Sequence, residues 1–387
     1  MLKYYFLLFV FCFSTQVTAA PVTMPFEFVD NRIFVNIKIN GEGPFVMMLD
    51  TGASNILDSA TAAKLNIPTH DAFPIQGGGE FSVMASTGDV QLMDIAGLKF
   101  SNQKFMIVDI SGMKNAIGFK KFDGLIGYEV FRSYITEINF EKKQLTLTAP
   151  IEFNTQPTGE VISFLGFDGT IPLVEATIDG VRGKFWLDTG DRAAMTLTTP
   201  FIQAHNLKAI YKPTFELITG WGIAGPLQTQ IIRAGQVTLG KETFVRPVLR
   251  LPTATKGGMT STTADGTIGN ELLHRFNLTI NYFKRQIVLT RNAFYNNEYN
   301  FDRSGMWLMT EGANFKVLDV FKNSPADKAG LQIGDIVTAV DNTPTAILFL
   351  PSLRDQLSSP QSKAVTLSIE SQKIKRDVVI LLEDLVP

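Results

Sequence analysis

Apolar and polar residues alternate along most of the chain, in short runs that are separated by glycine, proline and asparagine. Runs such as 33–41 and 171–180 show the period of two that is typical of half-buried β-strands. Helical patterns are few and short, and they fall at 59–65, 200–206 and 348–357. The pattern therefore predicts a mostly β protein.

An internal repeat organises the chain up to about residue 290. In each copy a strand, a glycine-containing turn and a second strand lead to an Asp-Thr-Gly motif, which begins at Asp50 in the first copy and at Asp188 in the second. The strand, turn and strand predict a β-hairpin. One such motif would mean little, because an aspartate in a turn is usually only a turn former.

The repeat continues beyond the two motifs at nearly equal distances. Residues 123–127, Asp-Gly-Leu-Ile-Gly, correspond to residues 265–269, Asp-Gly-Thr-Ile-Gly. A pair of strands follows each of these segments, within 134–148 in the first copy and within 278–290 in the second. The repeat predicts two equivalent lobes related by a pseudo-twofold axis, which would bring Asp50 and Asp188 together.

Two carboxyl groups at such an axis have a chemistry of their own. At a separation of about 3 Å they cannot both ionise, so they share a proton and their apparent pKa values separate. One then acts as a base on a water molecule, while the protonated partner polarises a carbonyl group. Such a pair hydrolyses an amide without a metal and without a covalent intermediate.

Residues 25–290 resemble the pepsin/retropepsin class of aspartic proteases. Asp50 to Ser54 match the family motif D-T-G-[A/S]-[S/T], and Leu125-Ile126-Gly127 match its hydrophobic-hydrophobic-glycine element. The resemblance implies a bilobal acid-protease β-barrel fold, a catalytic pair formed by Asp50 and Asp188, and an interlobe pair formed by Thr51 and Thr189. The implied supporting residues are Gly52, Ala53, Ser54, Gly190, Leu125, Ile126, Gly127, Ile268 and Gly269.

The second copy departs from the family motif at two points. Asp191-Arg192 follows the Asp-Thr-Gly motif, where the family has a small residue and then a hydroxyl residue. We expect Asp191 to raise the pKa values of the pair unless Arg192 neutralises it; alternatively, the second lobe has lost its activity. Thr267 replaces an apolar residue, which is a mild change because β-branching preserves the shape.

Glycine clusters lie about midway between the motifs of each copy. They are Gly77-Gly78-Gly79 in the first copy and Gly220-Trp221-Gly222 in the second. Glycine clusters between strands mark turns or mobile hairpin tips. The resemblance makes Gly77, Gly78, Gly79 and Trp221 candidates for flaps over the substrate.

Composition excludes several other classes. Hydrophobic residues make up 45% and charged residues 19%, as in an ordinary folded protein. The net charge of −2 argues against nucleic acid as a partner. The three histidines are far apart, which argues against a zinc site, and the chain lacks a G-x-S-x-G elbow. We expect no metal and no cofactor.

Residues 1–19 have the pattern of a secretory signal peptide, with Lys3, an apolar run from Tyr4 to Phe13 and small residues before the cut. The run is too short for a membrane span. The only cysteine, Cys12, lies within it, so the mature chain has none. We therefore expect an exported monomer of the periplasm or cell envelope, or one secreted from the cell, without a stable membrane span.

The pattern changes after an Asn-rich linker at 291–300. A strand at 315–321 precedes Ser-Pro-Ala-Asp-Lys-Ala-Gly-Leu-Gln-Ile-Gly-Asp-Ile at 324–336. Ser324 is predicted as a helix cap, with Pro325 at the first helical position. This segment resembles the PDZ domain of bacterial envelope proteases, a small α+β fold.

PDZ grooves bind peptide ends by strand addition. The resemblance implies a carboxylate-binding loop at Gly305, Met306, Trp307 and Leu308, and a groove between its strand and a helix that carries Leu353 and Leu357. Trp307 departs from the family glycine, which puts capture of a free carboxylate in question. The alternative is a PDZ fold that packs on the protease without binding peptide.

These observations predict a signal peptide at 1–19, protease lobes at 20–150 and 151–295, and a PDZ domain at 300–387. The expected function is that of an aspartic endopeptidase acting on protein or peptide substrates, with a peptide or protein ligand at the PDZ groove. A non-catalytic peptide-binding scaffold with a relict site is the alternative. Glycoside hydrolysis by paired carboxylates would not require the duplicated loops.

Overall fold

The structure is a computed structural model that describes residues 20–153, 158–213 and 215–386. The predicted signal peptide at 1–19 lies outside the described residues. Strands dominate and helices are short, so the predicted mostly β class is confirmed. Three groups of elements follow one another along the chain: a first lobe, a second lobe and a C-terminal domain.

The first lobe contains eleven strands and three short helices. In chain order they are β1 Val22–Pro25, β2 Glu27–Val29, β3 Arg32–Ile39, β4 Glu42–Leu49, β5 Ile56–Asp58, α1 Ser59–Lys64, β6 Thr69–Gln76, β7 Ser82–Ile95, β8 Leu98–Val108, α2 Ser111–Ile117, β9 Phe122–Ile126, α3 Tyr128–Phe131, β10 Ile135–Asn139 and β11 Gln144–Thr148.

The second lobe contains thirteen strands and three short helices. They are β12 Glu160–Ser163, β13 Gly166–Asp168, β14 Ile171–Ile178, β15 Val181–Leu187, β16 Met195–Leu197, α4 Thr199–Ala204, α5 Leu207–Tyr211, β17 Glu216–Gly222, β18 Gly225–Arg233, β19 Gln236–Leu239, β20 Glu242–Val245, β21 Val248–Pro252, β22 Gly266–Ile268, α6 Asn270–Leu273, β23 Phe276–Asn281 and β24 Gln286–Arg291.

The two lobes have equivalent strand pairings around their Asp-Thr-Gly loops. In the first lobe β4 pairs with β3 on one side and, in parallel, with β9 on the other. In the second lobe β15 pairs in the same way with β14 and β22. Alternation positions the core, because Val35, Ile37 and Ile39 of β3 are buried while Asn36 and Lys38 between them are exposed.

A third sheet joins the lobes. Its strand order is β1-β11-β10-β23-β24-β12, with β10 and β23 meeting at the centre. Each lobe therefore contributes three strands, in mirrored chain order. The chain passes from the first lobe to the second between β11 and β12, and β12 already pairs with β24. Residues 154–157 lie outside the described part.

The C-terminal domain contains six strands and two short helices. They are β25 Met306–Glu311, β26 Asn314–Val320, α7 Pro325–Lys328, β27 Ile336–Val340, β28 Thr343–Pro344, α8 Leu350–Ser358, β29 Ala364–Ser371 and β30 Ile374–Leu381. Ser324 caps α7 by accepting a hydrogen bond from the Asp327 N–H at 3.2 Å. The helix predicted at 348–357 begins later, at Leu350, which places Pro351 near its start, where no backbone N–H is required.

Within the described ranges, none of the helices has the length and apolar character needed to cross a membrane.

Candidate active site

The two Asp-Thr-Gly loops meet between the lobes. Asp50 follows β4 and Asp188 follows β15, and the backbone N–H of each donates to a carbonyl of the second motif in its own lobe, at 2.9 and 3.0 Å. Each carboxylate also accepts from the glycine two residues on, Gly52 N–H at 2.7 Å and Gly190 N–H at 2.9 Å. The loops therefore orient both carboxyl groups in the same way.

The carboxyl groups lie directly against the opposite loop. A Cβ placed on Gly52 would lie 3.0 Å from Asp188 Oδ1, and one on Gly190 would overlap the carboxylate of Asp50. Only glycine allows this approach. The two carboxyl groups therefore face each other across the lobe interface, close enough that each affects the pKa of the other.

Thr51 and Thr189 connect the loops through four reciprocal hydrogen bonds. Thr51 Oγ1 donates to Leu187 O at 2.7 Å and accepts from Thr189 N–H at 2.9 Å. Thr189 Oγ1 donates to Leu49 O at 3.0 Å and accepts from Thr51 N–H at 3.0 Å. Both side chains are fully buried. The bonds cross from one lobe to the other, so they fix the distance between the loops.

The second motif of each lobe supports its loop from behind. Leu125, Ile126 and Ile268 are buried, and a Cβ on Gly127 would overlap the carbonyl oxygens of Ala53 and Asp50. Gly269 approaches its own loop in the same way. These residues therefore act as close packing surfaces for the loops.

Burial raises the pKa values of both central carboxyl groups. The pKa of Asp188 lies well above its usual value, because burial is reinforced by the charges of Asp50 and Asp191. The pKa of Asp50 is also raised by burial, but the Gly52 N–H, its bond with Asp188 and the nearby Arg32 oppose the rise. The two groups titrate as a coupled pair, so the two ionisation steps belong to the pair and not to either residue.

The Asp191-Arg192 departure is resolved differently from the expectation. Arg192 pairs with Asp30 at 2.8 Å and not with Asp191. Asp191 instead accepts from Arg250 Nη1 at 3.0 Å. Burial by itself raises the pKa of Asp191, but Arg250 and hydrogen bonds outweigh it and hold that pKa below its usual value. A third carboxylate thus lies beside the pair, already ionised and compensated.

Thr267 is more than a shape-preserving replacement. Its hydroxyl donates to Asp191 Oδ2 at 2.6 Å, and the Thr196 hydroxyl donates to the same oxygen at 2.8 Å. The two departures in the second lobe, at Asp191 and at Thr267, therefore belong to one hydrogen-bonded cluster with Thr196 and Arg250. We call it the second-lobe polar cluster.

The predicted flap glycines lie at a hairpin tip over the pair. Gly77 to Gly79 connect β6 and β7, and Gly77 O accepts from Gly258 N–H of the second lobe at 3.1 Å. The carboxylate of Glu80 accepts from Thr255 N–H and Oγ1. Gly77 also lies against Ile223, at the tip of the β17–β18 hairpin. The two hairpin tips therefore meet across the cleft.

A cavity of about 610 Å³ lies between the hairpin tips and the two carboxyl groups. Residues of both lobes line it, including the floor and the tips. Among the predicted site residues, those on its wall are Asp50, Gly52, Ala53, Ser54, Gly77, Gly78, Leu125, Asp188, Gly190 and Trp221.

The groove strand of the C-terminal domain packs against the first lobe. Met306 to Leu308 are part of β25, not of a loop, and only Gly305 precedes the strand. α2 of the first lobe packs on β25, and the Thr310 hydroxyl donates to Asn115 O at 3.1 Å. Leu353 and Leu357 of α8 are buried. A segment of the first lobe thus covers the groove strand.

Arg354 of α8 holds this arrangement. Its guanidinium donates to the carbonyl oxygens of Ala116 and Ile117, at the C-terminal end of α2, where helix carbonyls have no internal partner. It also donates to Leu308 O at 3.0 Å and lies over the Trp307 ring, 4.7 Å from its centroid.

Asp30 lies where both lobes and the C-terminal domain meet. Arg32, Arg192 and Arg354 all pair with its carboxylate. Burial by itself raises the pKa of Asp30, but the three guanidinium groups outweigh it and lower the pKa. Arg32 also donates from Nε to Gly190 O at 3.0 Å. One buried carboxylate thus connects the C-terminal domain to the loop of Asp188.

Four residues of the site were not predicted from the sequence: Asp30, Arg32, Arg250 and Arg354. Arg250 alone had a visible signal, because it interrupts the buried apolar strand β21. An arginine at such a position requires an internal partner. For the other three, no pattern in the sequence indicates that they meet.

Comparisons with known proteins agree with these features. Residues 35–130 match a family model described as aspartyl protease, and residues 316–371 match the model of the PDZ domain. Among solved structures, the aspartic proteinase from Irpex lacteus is similar, with 13% sequence identity and a TM-score of 0.49. The alignment covers 73% of this chain and 100% of that one. Among curated proteins, none matches the chain.

The two family matches fall on the part that contains Asp50 and on the part that contains β26 to β29. The chain therefore carries an aspartyl protease domain toward its N-terminal end and a PDZ domain at its C-terminal end.

Proposed function

We propose that the protein is an aspartic endopeptidase in which Asp50 and Asp188 together activate a water molecule. The observation that carries the proposal is the placement of the two carboxyl groups, each against the glycine of the opposite loop, with raised pKa values, in a cavity shared by both lobes. A relict site has no need to keep two buried carboxyl groups in contact, because their repulsion and burial destabilise the fold.

Within this proposal the two carboxyl groups take different roles. Ionised Asp50 takes a proton from water, whose oxygen attacks the peptide carbonyl carbon, while protonated Asp188 donates to the carbonyl oxygen. In the second step the amine nitrogen receives the proton held by Asp50, the C–N bond breaks, and one hydroxyl of the tetrahedral intermediate returns its proton to Asp188, which restores the pair. The Thr51–Thr189 bonds support this chemistry by keeping the two carboxyl groups at one separation.

The PDZ domain is proposed to regulate access or stabilise the protease. Its groove strand is covered by α2, and Arg354 bridges to Asp30. A peptide ligand at the groove would therefore have to displace α2. We further propose that the protein acts after export, which the pattern of residues 1–19 supports.

Incubation of the full mature chain with a mixture of proteome-derived peptides, between mildly acidic and neutral pH, tests the proposal. We expect internal cleavage products, one ¹⁸O atom from labelled water in each new carboxyl group, and inhibition by a statine-type transition-state analogue. Failure to cleave any peptide over this pH range, by a chain shown to be folded, would contradict the proposal.

Removal of the Asp191 charge is expected to shift the pH dependence. Burial is the main reason that the pKa values of Asp50 and Asp188 are raised, and Asp191 raises both further. In Asp191→Ala both limbs of the kcat/KM profile should therefore move to lower pH, and the unpaired Arg250 acts in the same direction. Asp179→Asn, in the same lobe and outside the cavity, is the control. Unchanged limbs in Asp191→Ala would show that its charge does not act on the pair.

A further inference from the structure

The cavity above the carboxyl pair differs between its two sides at the positions next to the Asp-Thr-Gly loops. On the second-lobe side it is lined there by the polar cluster of Asp191, Thr196, Arg250 and Thr267, with apolar residues such as Trp186 and Leu227 farther along the wall. Asp191 accepts from the other three side chains and from the Ala193 N–H at 3.0 Å. The cluster thus places charged and hydroxyl groups on the wall where a substrate side chain would lie.

The first lobe has apolar residues at the equivalent positions. Ile56 pairs with Leu125 and with Met106 in the same register in which Thr196 pairs with Thr267 and with Arg250. Ala53 has the same place in its loop as Asp191, three residues after the catalytic aspartate. All four apolar residues line the cavity.

The backbone pairings at these positions do not depend on the polarity of the side chains. The same backbone pairings are made by apolar side chains in one lobe and by polar side chains in the other, so the fold does not require the polar set. Folding alone does not favour it either, since a buried ion pair is often no more stabilising than packed apolar residues of similar volume. The polar cluster therefore calls for a role at the cavity.

Arg250 has hydrogen-bonding capacity left for a ligand. Among the described residues it donates to Asp191 Oδ1 and to Thr219 O, which engages two of the five N–H groups of a guanidinium. Gly220 also lines the cavity, and a Cβ on it would lie only 3.4 Å from Arg250 Nη1. The missing side chain at Gly220 leaves this edge of the guanidinium open toward the cavity.

We propose that the cleft selects substrates asymmetrically: of the two residues that flank the scissile bond, the one on the second-lobe side carries an acceptor oxygen, and the other is apolar. The acceptor-bearing residues are Ser, Thr, Asn, Gln, Asp and Glu. An extended peptide crossing the pseudo-twofold axis places these two side chains in opposite halves of the cavity. The inference rests on the proposed function where it concerns cleavage, but the same selectivity is expected for peptide binding without cleavage.

The test uses peptide pairs that differ only at one flanking residue, Gln against Leu. For the wild-type protein we expect kcat/KM to favour Gln at least tenfold on one side of the scissile bond and Leu on the other. The variant Asp191→Ala/Thr196→Ile/Arg250→Met/Thr267→Leu carries the first-lobe residues in the second lobe. It should lose the preference for Gln and keep the apolar preference on the other side. Asp179→Asn, in the second lobe and outside the cavity, is the control and should change neither.

A binding arm separates the two proposals. The same peptides with a reduced CH₂–NH bond at the scissile position are titrated by calorimetry, which requires no catalysis. Selective binding without cleavage of normal peptides would overturn the proposed function and leave the asymmetry standing. Cleavage with apolar residues preferred on both sides would overturn the asymmetry alone.

If the fourfold variant does not fold, the double variant Asp191→Ala/Arg250→Met replaces it. An unchanged preference for Gln in the double variant would overturn the inference.

Discussion

Asp50→Asn and Asp188→Asn are each expected to lower kcat/KM for peptide cleavage by roughly 10⁴-fold, to near the background rate. Asn at position 50 removes the base, and Asn at position 188 removes the proton that polarises the carbonyl. Because the two groups act as a unit, the double variant should be no worse than either single one. Steady-state cleavage of a quenched fluorescent peptide measures the loss.

A measurement of thermal stability distinguishes a loss of catalysis from a loss of folding. The raised pKa values of Asp50 and Asp188 mean that the folded state loses stability as the pH rises from their unfolded values through their folded ones. At neutral pH the Asn variants should therefore unfold at a temperature equal to or above that of the wild type. Asp94→Asn, near the end of β7 and outside the cavity, should change neither property. Activity that survives Asp188→Asn would contradict a shared pair and leave Asp50 as the single functional carboxylate.

The second large effect is expected at Asp30. Asp30→Ala leaves the guanidinium groups of Arg32, Arg192 and Arg354 without their common buried partner. Removal of one partner from a buried ion pair destabilises a protein by roughly 3–5 kcal/mol. We expect a loss of that size in the free energy of unfolding, measured by urea denaturation. The PDZ domain should also become easier to release by limited proteolysis near residue 300.

The pH dependence of stability gives an independent check on Asp30. Its folded pKa is lower than its unfolded value of 3.8, so its stabilising effect is complete above that value and is lost as the pH falls through the folded pKa. The wild type and Asp30→Ala should therefore converge in stability in strong acid. Asp71→Asn, at an exposed ion pair, is the control. An Asp30→Ala protein as stable as the wild type at neutral pH would show that the arginines find other partners.

Much of the fold was predictable because the chain repeats itself. Two hairpins ending in Asp-Thr-Gly, each followed by the same glycine element, indicate two equivalent lobes before any contact is known. The Ser324 cap with Pro325 likewise marks its helix locally. Where prediction depended on short-range chemistry, as at these positions, the structure differs from it only by a few residues.

The remaining features depend on contacts between segments that are distant in the sequence. Arg192 is adjacent to Asp191 in the chain, yet it pairs with Asp30, because the loop turns its side chain toward the first lobe. Arg250 reaches Asp191 only because β21 and β16 are parallel neighbours. Arg354 meets α2 only after the PDZ domain has docked. Local patterns contain no information on such pairings.

The meeting of the hairpin tips has a consequence for the rate at which a substrate is captured. A polypeptide reaches Asp50 and Asp188 only after the bond between Gly77 and Gly258 and the bonds of Glu80 to Thr255 have opened. The association rate constant of a substrate should then be lower than the value of about 10⁵–10⁷ M⁻¹s⁻¹ that is typical of protein association. Compactly folded proteins nearby would not be cleaved, because only a flexible, extended segment can pass beneath the hairpin tips and let them close again.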